Sequence, residues 1–322
     1  AWYTVHQRDL PWRNIDDPYK VWISEIMLQQ TVVAAVIPYF EKFMDRFPDV
    51  QTLAAAEEGE VLQYWEGLGY YSRARNIYKA ARVITEERDG VFPQDVDGLQ
   101  ALPGIGRYTA GAICSFAYDQ RAPIVEANTL RLYSRLIGLE LDPRSKSGQE
   151  QLWEFAELIL PRKAPGAFNQ ALMDLGATIC TPRKPACSLC PWTDHCAGRK
   201  AGSAADLPMR EKKKPKPVRT GTAYWLRDGQ GKILLVRRPE KGLLAKMMGL
   251  PTMGWETATS DGSADPVALG LCKQSELDAA VQKAAAKKDA GKKTPLKKKR
   301  KKEPPFIYPD WATDLTAVIS EV

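Results

Sequence analysis

Apolar residues recur at helical spacing through most of the first 180 positions. Between Val21 and Phe40, Trp22, Ile23, Ile26, Met27 and Val33 follow that spacing and predict one helix. Phe47-Pro48-Asp49-Val50 caps a second helix over 51–66, which stops at Gly67-Leu68-Gly69. Another begins at Tyr70-Tyr71-Ser72-Arg73-Ala74-Arg75, and more are predicted over 127–139, 147–160 and 167–178. No alternating strand pattern precedes Cys180, so this part reads as all-α with nine or ten helices. Residues 201–219 read as a linker, small, then basic, then broken by proline. Thr220–Leu226 and Lys232–Arg238 are β-rich runs around Arg227-Asp228-Gly229-Gln230-Gly231, which predicts a hairpin opening an α+β domain. Its pattern fades after Trp255.

Composition modifies this picture in three ways. The 322 residues suffice for two domains with cores. The net charge of +7 is uneven: residues 1–209 carry 22 Lys and Arg against 26 Asp and Glu, residues 210–322 carry 24 against 13. Lys283 to Lys302 alone holds eleven basic residues and one acid, a basic tract that attracts nucleic acid without specificity or is simply solvated. An acidic first part binds nucleic acid only through a local basic face. No apolar run of eighteen residues predicts a membrane span, and no signal-peptide pattern opens the chain. The chain starts at Ala1 without Met, and the expectation is that some native residues precede it.

Candidate chemistry centres on Leu99 to Asn128. Leu102-Pro103-Gly104-Ile105-Gly106 is a tight turn between two helix-patterned runs. Backbone N–H groups at Gly104, Ile105 and Gly106, leading into the next helix, can hold a phosphate oxygen; an ordinary helix connection is the alternative. Glu126 follows an apolar Pro123-Ile124-Val125, where a carboxylate is unlikely to be buried without a task. Glu25 lies among Ile23, Ile26 and Met27: either it is exposed, or it is a poorly solvated carboxyl of raised pKa, as a general acid requires. Trp12-Arg13 is a platform for a base or a cap on the core. Tyr70 to Arg75 suits stacking and phosphate contact, or a surface helix. Cys180, Cys187, Cys190 and Cys196, spaced C-x6-C-x2-C-x5-C, can close around a 4Fe–4S cluster. Zinc is the main alternative, but its sites more often pair two C-x2-C knuckles across a longer gap. Disulfides suit a reducing compartment poorly. Arg183 and Lys184 in the first loop of this set could meet a phosphate.

Together these segments resemble the adenine DNA glycosylases called MutY, within the helix–hairpin–helix superfamily that includes endonuclease III. The motifs are Leu10-Pro11-Trp12-Arg13, Ser24 to Thr31, Gly67 to Arg75, Leu102 to Gly111, Asn169 to Gly176 and the four cysteines. The resemblance covers about Trp2 to Arg199 and, more loosely, 217–255. It implies a mainly α, helix–hairpin–helix glycosylase domain over 1–200 with a 4Fe–4S loop at 180–196. A linker at 201–219 and a partial, MutT-like (Nudix-like) α+β domain over 220–322 follow. The implied substrate is double-stranded DNA with adenine opposite 8-oxoguanine or guanine, bound by a monomer in the bacterial cytoplasm at the nucleoid. Glu25 falls at the general acid, Glu126 at the carboxylate that stabilises the sugar cation, and Tyr108 and Asn128 beside it. Trp12, Arg13 and Leu28 fall in the adenine pocket, and Gln30 and Tyr70 at the wedges that enter the base stack.

The chain departs from that family at four places. Glu126-Ala127-Asn128 replaces Asp-Gly-Asn. Met248-Gly249 stands where Trp-Glu precedes Leu250-Pro251, although Gly242-Leu243-Leu244-Ala245 fits. No histidine follows His195, so the late Phe-Ser-His loop is absent and the end of the chain is expected to be shortened or altered. The Nudix carboxylate cluster is missing, so no pyrophosphatase activity is expected. Two rival functions are an endonuclease III-like glycosylase with lyase activity, which needs a lysine where Tyr108 stands, and a non-catalytic iron–sulfur DNA-binding protein.

Overall fold

Short polar residues punctuate the first 180 positions, and the computed structural model shows what they do. It describes residues 2–210, 222–225, 230–239, 245 and 247–253. Asp17, Asp49, Asp95 and Ser145 each accept a backbone N–H at the first turn of the helix that follows. The helices are α1 Trp2–His6, α2 Pro18–Leu28, α3 Val33–Arg46, α4 Val50–Ala55, α5 Glu58–Tyr64 and α6 Ser72–Glu87. They continue with α7 Val96–Gln100, α8 Arg107–Tyr118, α9 Ala127–Leu136, α10 Lys146–Ile159, α11 Pro165–Thr178 and α12 Ala197–Lys200. Eleven of them precede Cys180, against the nine or ten expected. The excess comes from α1, α4 and α7, whose five or six residues are too few to show a period.

Two expected helices are each broken in two. The run 21–40 is interrupted between Leu28 and Val33, where Gln30 takes a positive φ of 60°. The run 51–66 is interrupted at Ala56 and Glu57, both extended. The first break matters for function, because it sets a tight turn directly after the buried helix α2.

The helices enclose two hydrophobic cores. One gathers side chains between Leu10 and Ala122, including Trp22, Phe43, Trp65, Ile77 and Ile113. The other gathers side chains between Val125 and Cys196, including Tyr133, Leu152, Phe155 and Leu175. The chain passes from one core to the other at residues 122–125, immediately before Glu126. Helix α11 joins them: it packs on both α8 and α9. Asn169 donates through Nδ2 to Ser115 Oγ at 3.1 Å and to the Ala122 carbonyl at 2.9 Å.

Residues 212–303 form a separate unit. Among its described residues are four two-residue strands, β1 Thr222–Ala223, β2 Val236–Arg237, β3 Met248–Gly249 and β4 Thr252–Met253. β1 pairs antiparallel with β4, and β2 with β3. Residues 220, 221 and 226–229, which include the turn of the expected hairpin between 220–226 and 232–238, lie outside the described residues. Both runs bond to the later segment: Tyr224 N donates to the Pro251 carbonyl and Arg238 N to that of Met247. That segment carries Gly249 and Pro251 and shows no strand alternation by which to recognise it. Linker residues 211–219, Gly242 to Leu244, the Lys-rich stretch 283–302 and the final stretch 306–322 lie outside the described residues. No described helix is long and apolar enough to cross a membrane.

The α8–α11 contact has no room for a side chain at Gly166: a Cβ there would fall 2.1 Å from the Ser115 carbonyl oxygen. Gly166→Ala is expected to cost about 1–3 kcal/mol by forcing the helices apart. Urea unfolding checks this; unchanged stability would mean that the two helices separate freely.

Candidate active site

Helix α2 is apolar almost all round, and Val21 to Met27 are all buried. A helix of that kind runs through a core rather than along its surface. It carries Glu25 in with it, only 4% exposed. The exposed alternative for Glu25 is thereby excluded. Tyr108, on the first turn of α8, donates its hydroxyl to Glu25 Oε2 at 2.5 Å. Burial pushes the Glu25 carboxyl up from 4.5 to about 7; the Tyr108 hydrogen bond and the Arg13 charge oppose that shift, and Glu126 adds to it. Near neutral pH, Glu25 thus holds a proton about half the time.

Glu126 sits where the two cores meet and caps α9. Its Oε1 accepts the backbone N–H of Asn128 at 2.7 Å and of Thr129 at 3.1 Å, while Thr129 Oγ1 accepts the Glu126 N–H at 2.9 Å. Oε2 is left open. Burial raises the pKa of Glu126, against the backbone N–H bonds and the Arg131 charge that favour its ionised form. Tyr108 feels both carboxyls, and burial together with their charge holds its phenol well above its ordinary pKa. Asn128 turns away from Glu126: its Oδ1 accepts from Arg131 Nη2 at 2.9 Å.

Glu25 lines a pocket together with Trp12, Arg13, Leu28, Gln170 and Met173. Trp12 is buried and meets Phe40 edge-on at 5.4 Å, so it caps the core and walls the cavity at once. Arg13 is held by α11: Nη1 donates to Gln170 Oε1 at 2.5 Å and Nη2 to Asp174 Oδ1 at 2.6 Å. Arg8, Gln170, Met173 and Asp174 had no individual role in the sequence reading. The signal was present as the spacing of Gln170, Met173 and Asp174 on one helical face.

Gln30 and Tyr70 occupy two exposed turns, both at positive φ (60° and 46°). One side chain binds both turns. Arg73 Nη1 donates to the carbonyls of Ile26 (2.7 Å) and Gln29 (2.5 Å), and Nη2 to that of Leu68 (3.1 Å). Its guanidinium also lies over the Trp65 and Tyr70 rings. At the α7–α8 turn, Gly104 has φ 79° and no room for a Cβ, which would meet Asn76 at 2.5 Å. Gly106 caps α8 without a side chain, and the Ile105 side chain is buried, so only backbone is presented there.

The four cysteines line a second pocket beside Arg135 and Leu136. No disulfide joins them. Among the described residues no three donors converge closely enough for a single ion. Four thiols lining one pocket fit the four ligands of a cluster. Arg135, 1% exposed, donates to Cys180 Sγ at 3.2 Å and to the carbonyls of Thr181, Pro182 and Leu207. Arg183 and Lys184 are exposed in the loop after Cys180.

Comparison with known proteins places this arrangement in a class. "HhH-GPD superfamily base excision DNA repair protein" matches residues 23–158, and "Iron-sulfur binding domain of endonuclease III" matches residues 180–196. A solved thermostable thymine-DNA glycosylase is 30% identical with a TM-score of 0.57, covering 62% of this chain and 92% of its own. The fold is therefore the mainly helical one of base excision repair glycosylases, and the cofactor is a 4Fe–4S cluster. The chain belongs to the adenine DNA glycosylase family. It is 46% identical over 214 residues to the adenine DNA glycosylase of Buchnera aphidicola from Schizaphis graminum, covering 66% of this chain and 62% of that one. It is 39% identical over 253 residues to that of Buchnera aphidicola from Baizongia pistaciae, covering 78% and 71%. The chain thus spans less than two thirds of the length of the first of these relatives.

Two measurements follow from this geometry. The native state binds more protons at Glu25 than the unfolded chain does between pH 4.5 and about 7. The stabilisation is complete below that window and is lost as pH rises through it. Glu25→Gln has no such loss, so relative to the parent it should gain on the order of 1–3 kcal/mol between pH 5 and 8 in urea unfolding. A pH-independent difference would contradict a raised pKa. Protein purified without air should contain iron and acid-labile sulfide in equal amounts and absorb broadly in the blue; zinc without iron would refute the cluster.

Proposed function

We propose that this chain is a monofunctional adenine DNA glycosylase of base excision repair, hydrolysing the N-glycosidic bond of adenine opposite 8-oxoguanine or guanine. The observation that carries this is the buried Glu25 and the half-buried Glu126 about Tyr108, with the Glu25 pKa near neutrality and its carboxyl lining a pocket walled by Trp12, Arg13 and Leu28. A base inside a duplex cannot reach that cavity, so the nucleotide must be flipped out, at a cost of a few kcal/mol. Gln30 and Tyr70 on their two turns fill the vacated stack, and the backbone at Gly104, Ile105 and Gly106 holds a phosphate. Trp12, Arg13 and Leu28 receive the adenine.

Adenine leaves poorly as an anion. Glu25 gives its proton to N7, and the C1′–N9 bond breaks with its electron pair going to the base. Positive charge develops on the sugar. Glu126 meets it with the open Oε2, as stabiliser or as transient covalent partner, while Oε1 stays fixed by two amides. Water then adds to C1′ and leaves its proton behind, giving free adenine and an abasic site. Asn128, tied to Arg131, holds the first turn of α9 in place. We assign Cys180, Cys187, Cys190 and Cys196 as the cluster's ligands; when bound, it supplies four metal–thiolate bonds that cross-link residues 180–196. No excision step needs it.

The lyase alternative lacks a nucleophile, because Tyr108 has a strongly raised pKa and is committed to Glu25, and no lysine lines the cavity. A non-catalytic binder has no use for a costly buried acid beside an open cavity. The unit beyond residue 211 we read as a partial MutT-like domain facing the opposite base, in a monomer acting at the bacterial nucleoid.

Single-turnover excision on duplexes with adenine opposite 8-oxoguanine, guanine or cytosine tests this, with excision expected from the first two. Glu25→Gln should bind duplex and not excise. Glu126→Gln should lose about 3 kcal/mol or more of transition-state stabilisation, and Glu126→Asp should be partly active. Efficient borohydride trapping, or parent-rate excision by either Gln variant, would refute the assignment.

A further inference from the structure

Asp174 on α11 is completely buried, yet it is an acid outside the pair that performs the chemistry. A buried carboxylate is unfavourable unless cations and donors surround it. Here two arginines do. Arg8 donates Nε and Nη2 to Oδ1 at 2.8 and 2.7 Å and its backbone N–H to Oδ2 at 3.1 Å. Arg13 adds Nη2 at 2.6 Å. One negative charge therefore holds two positive ones at the wall of the base cavity.

The result for Arg13 is specific. Nη1 is taken by Gln170, which also accepts the Tyr3 hydroxyl at 2.9 Å, and Nη2 is taken by Asp174. Its Nε is buried without a partner. Arg13 itself is 6% exposed and lines the cavity. A buried donor left unmade costs stability, so it is best explained by an acceptor that arrives with a ligand. A planar guanidinium fixed at both terminal nitrogens cannot rotate, and its free N–H keeps one direction.

We propose that Asp174 is a positioning residue. It fixes the Arg13 guanidinium so that Nε is free for an acceptor edge of the bound base, and it offsets the Arg8 and Arg13 charges so that Glu25 keeps its proton. The role rests on the reading of the cavity as a base pocket. The charged and titratable groups around Glu25 are Tyr108 from α8, Glu126 at the start of α9 and Arg13. Those around Arg13 are Arg8, Asp174 and Tyr3. Arg13 already favours ionised Glu25. Without the Asp174 charge that influence grows, and proton donation at neutral pH falls.

The test is the titration of Glu25 in the full, cluster-loaded chain, followed by infrared absorption of its protonated carboxyl and assigned by loss of the band in Glu25→Gln. Asp174→Asn keeps the shape and removes the charge, and should lower the midpoint by about half a unit or more. Arg8→Gln removes one cation and should raise it. Opposite movements are not produced by a general loosening of the fold. Single-turnover excision by Asp174→Asn at pH 7 should fall on the order of tenfold or more with duplex affinity unchanged, and Asp174→Glu should recover part of it. Midpoints that stay at the parent value, or that both move the same way, would overturn the proposal. If Asp174→Asn does not fold, the direction of the Arg8→Gln shift decides alone. A parent chain that excises no adenine while the midpoints move as stated would refute the proposed function and leave this role standing.

Discussion

Burying one carboxyl is the constraint on which the rest of the site depends. Glu25 is carried into the core by a mostly apolar helix, and no cation contacts it directly among the described hydrogen bonds and ion pairs. Desolvation therefore controls its protonation, and the Tyr108 hydroxyl sets its orientation. A carboxyl in water would be ionised at neutral pH and could protonate nothing. The fold thus gives up stability at one position in exchange for an acid that works near pH 7.

Arginines, buried or half-buried, hold the surroundings of that acid. Arg13 and Arg8 converge on Asp174, Arg73 binds the carbonyls of the two exposed turns, and Arg131 joins Asn128 to the carbonyls of Gly176 and Cys180. Each places a planar, multiply donating group where backbone carbonyls or a carboxylate would otherwise lack partners. Lysine could satisfy one or two of these acceptors at a time, never the whole set. The pocket wall, the two exposed turns and the start of α9 are tied in this way to the two cores.

Much of this was legible from residue order. The capped helices, the turn at 102–106 and the four cysteines each carry a local signature, because caps, glycine turns and thiol spacing act over a few residues. Glu25 was ambiguous, since an acid inside an apolar run fits either face of a helix; only the packing of α2 on α3 and α8 decides it. The break after Leu28 escaped notice because Gln30, without glycine or proline beside it, takes a positive φ. Arg73 and Asp174 were unreadable as anchors, because the partners that make them so lie far off in sequence: Ile26 and Gln29 for Arg73, Arg8 and Arg13 for Asp174. Strands of two residues are too short for alternation, and the segment 247–253, to which both β-rich runs bond, was not read as strand for that reason.

The central claim is that Glu25 donates a proton to the departing base from a carboxyl whose pKa lies near neutrality. The most direct measurement is the single-turnover excision rate from pH 5 to 9, on a duplex with adenine opposite 8-oxoguanine. The rate should be level at low pH and fall about tenfold per unit above a midpoint near 7. A rate that holds constant to pH 9 would contradict the claim.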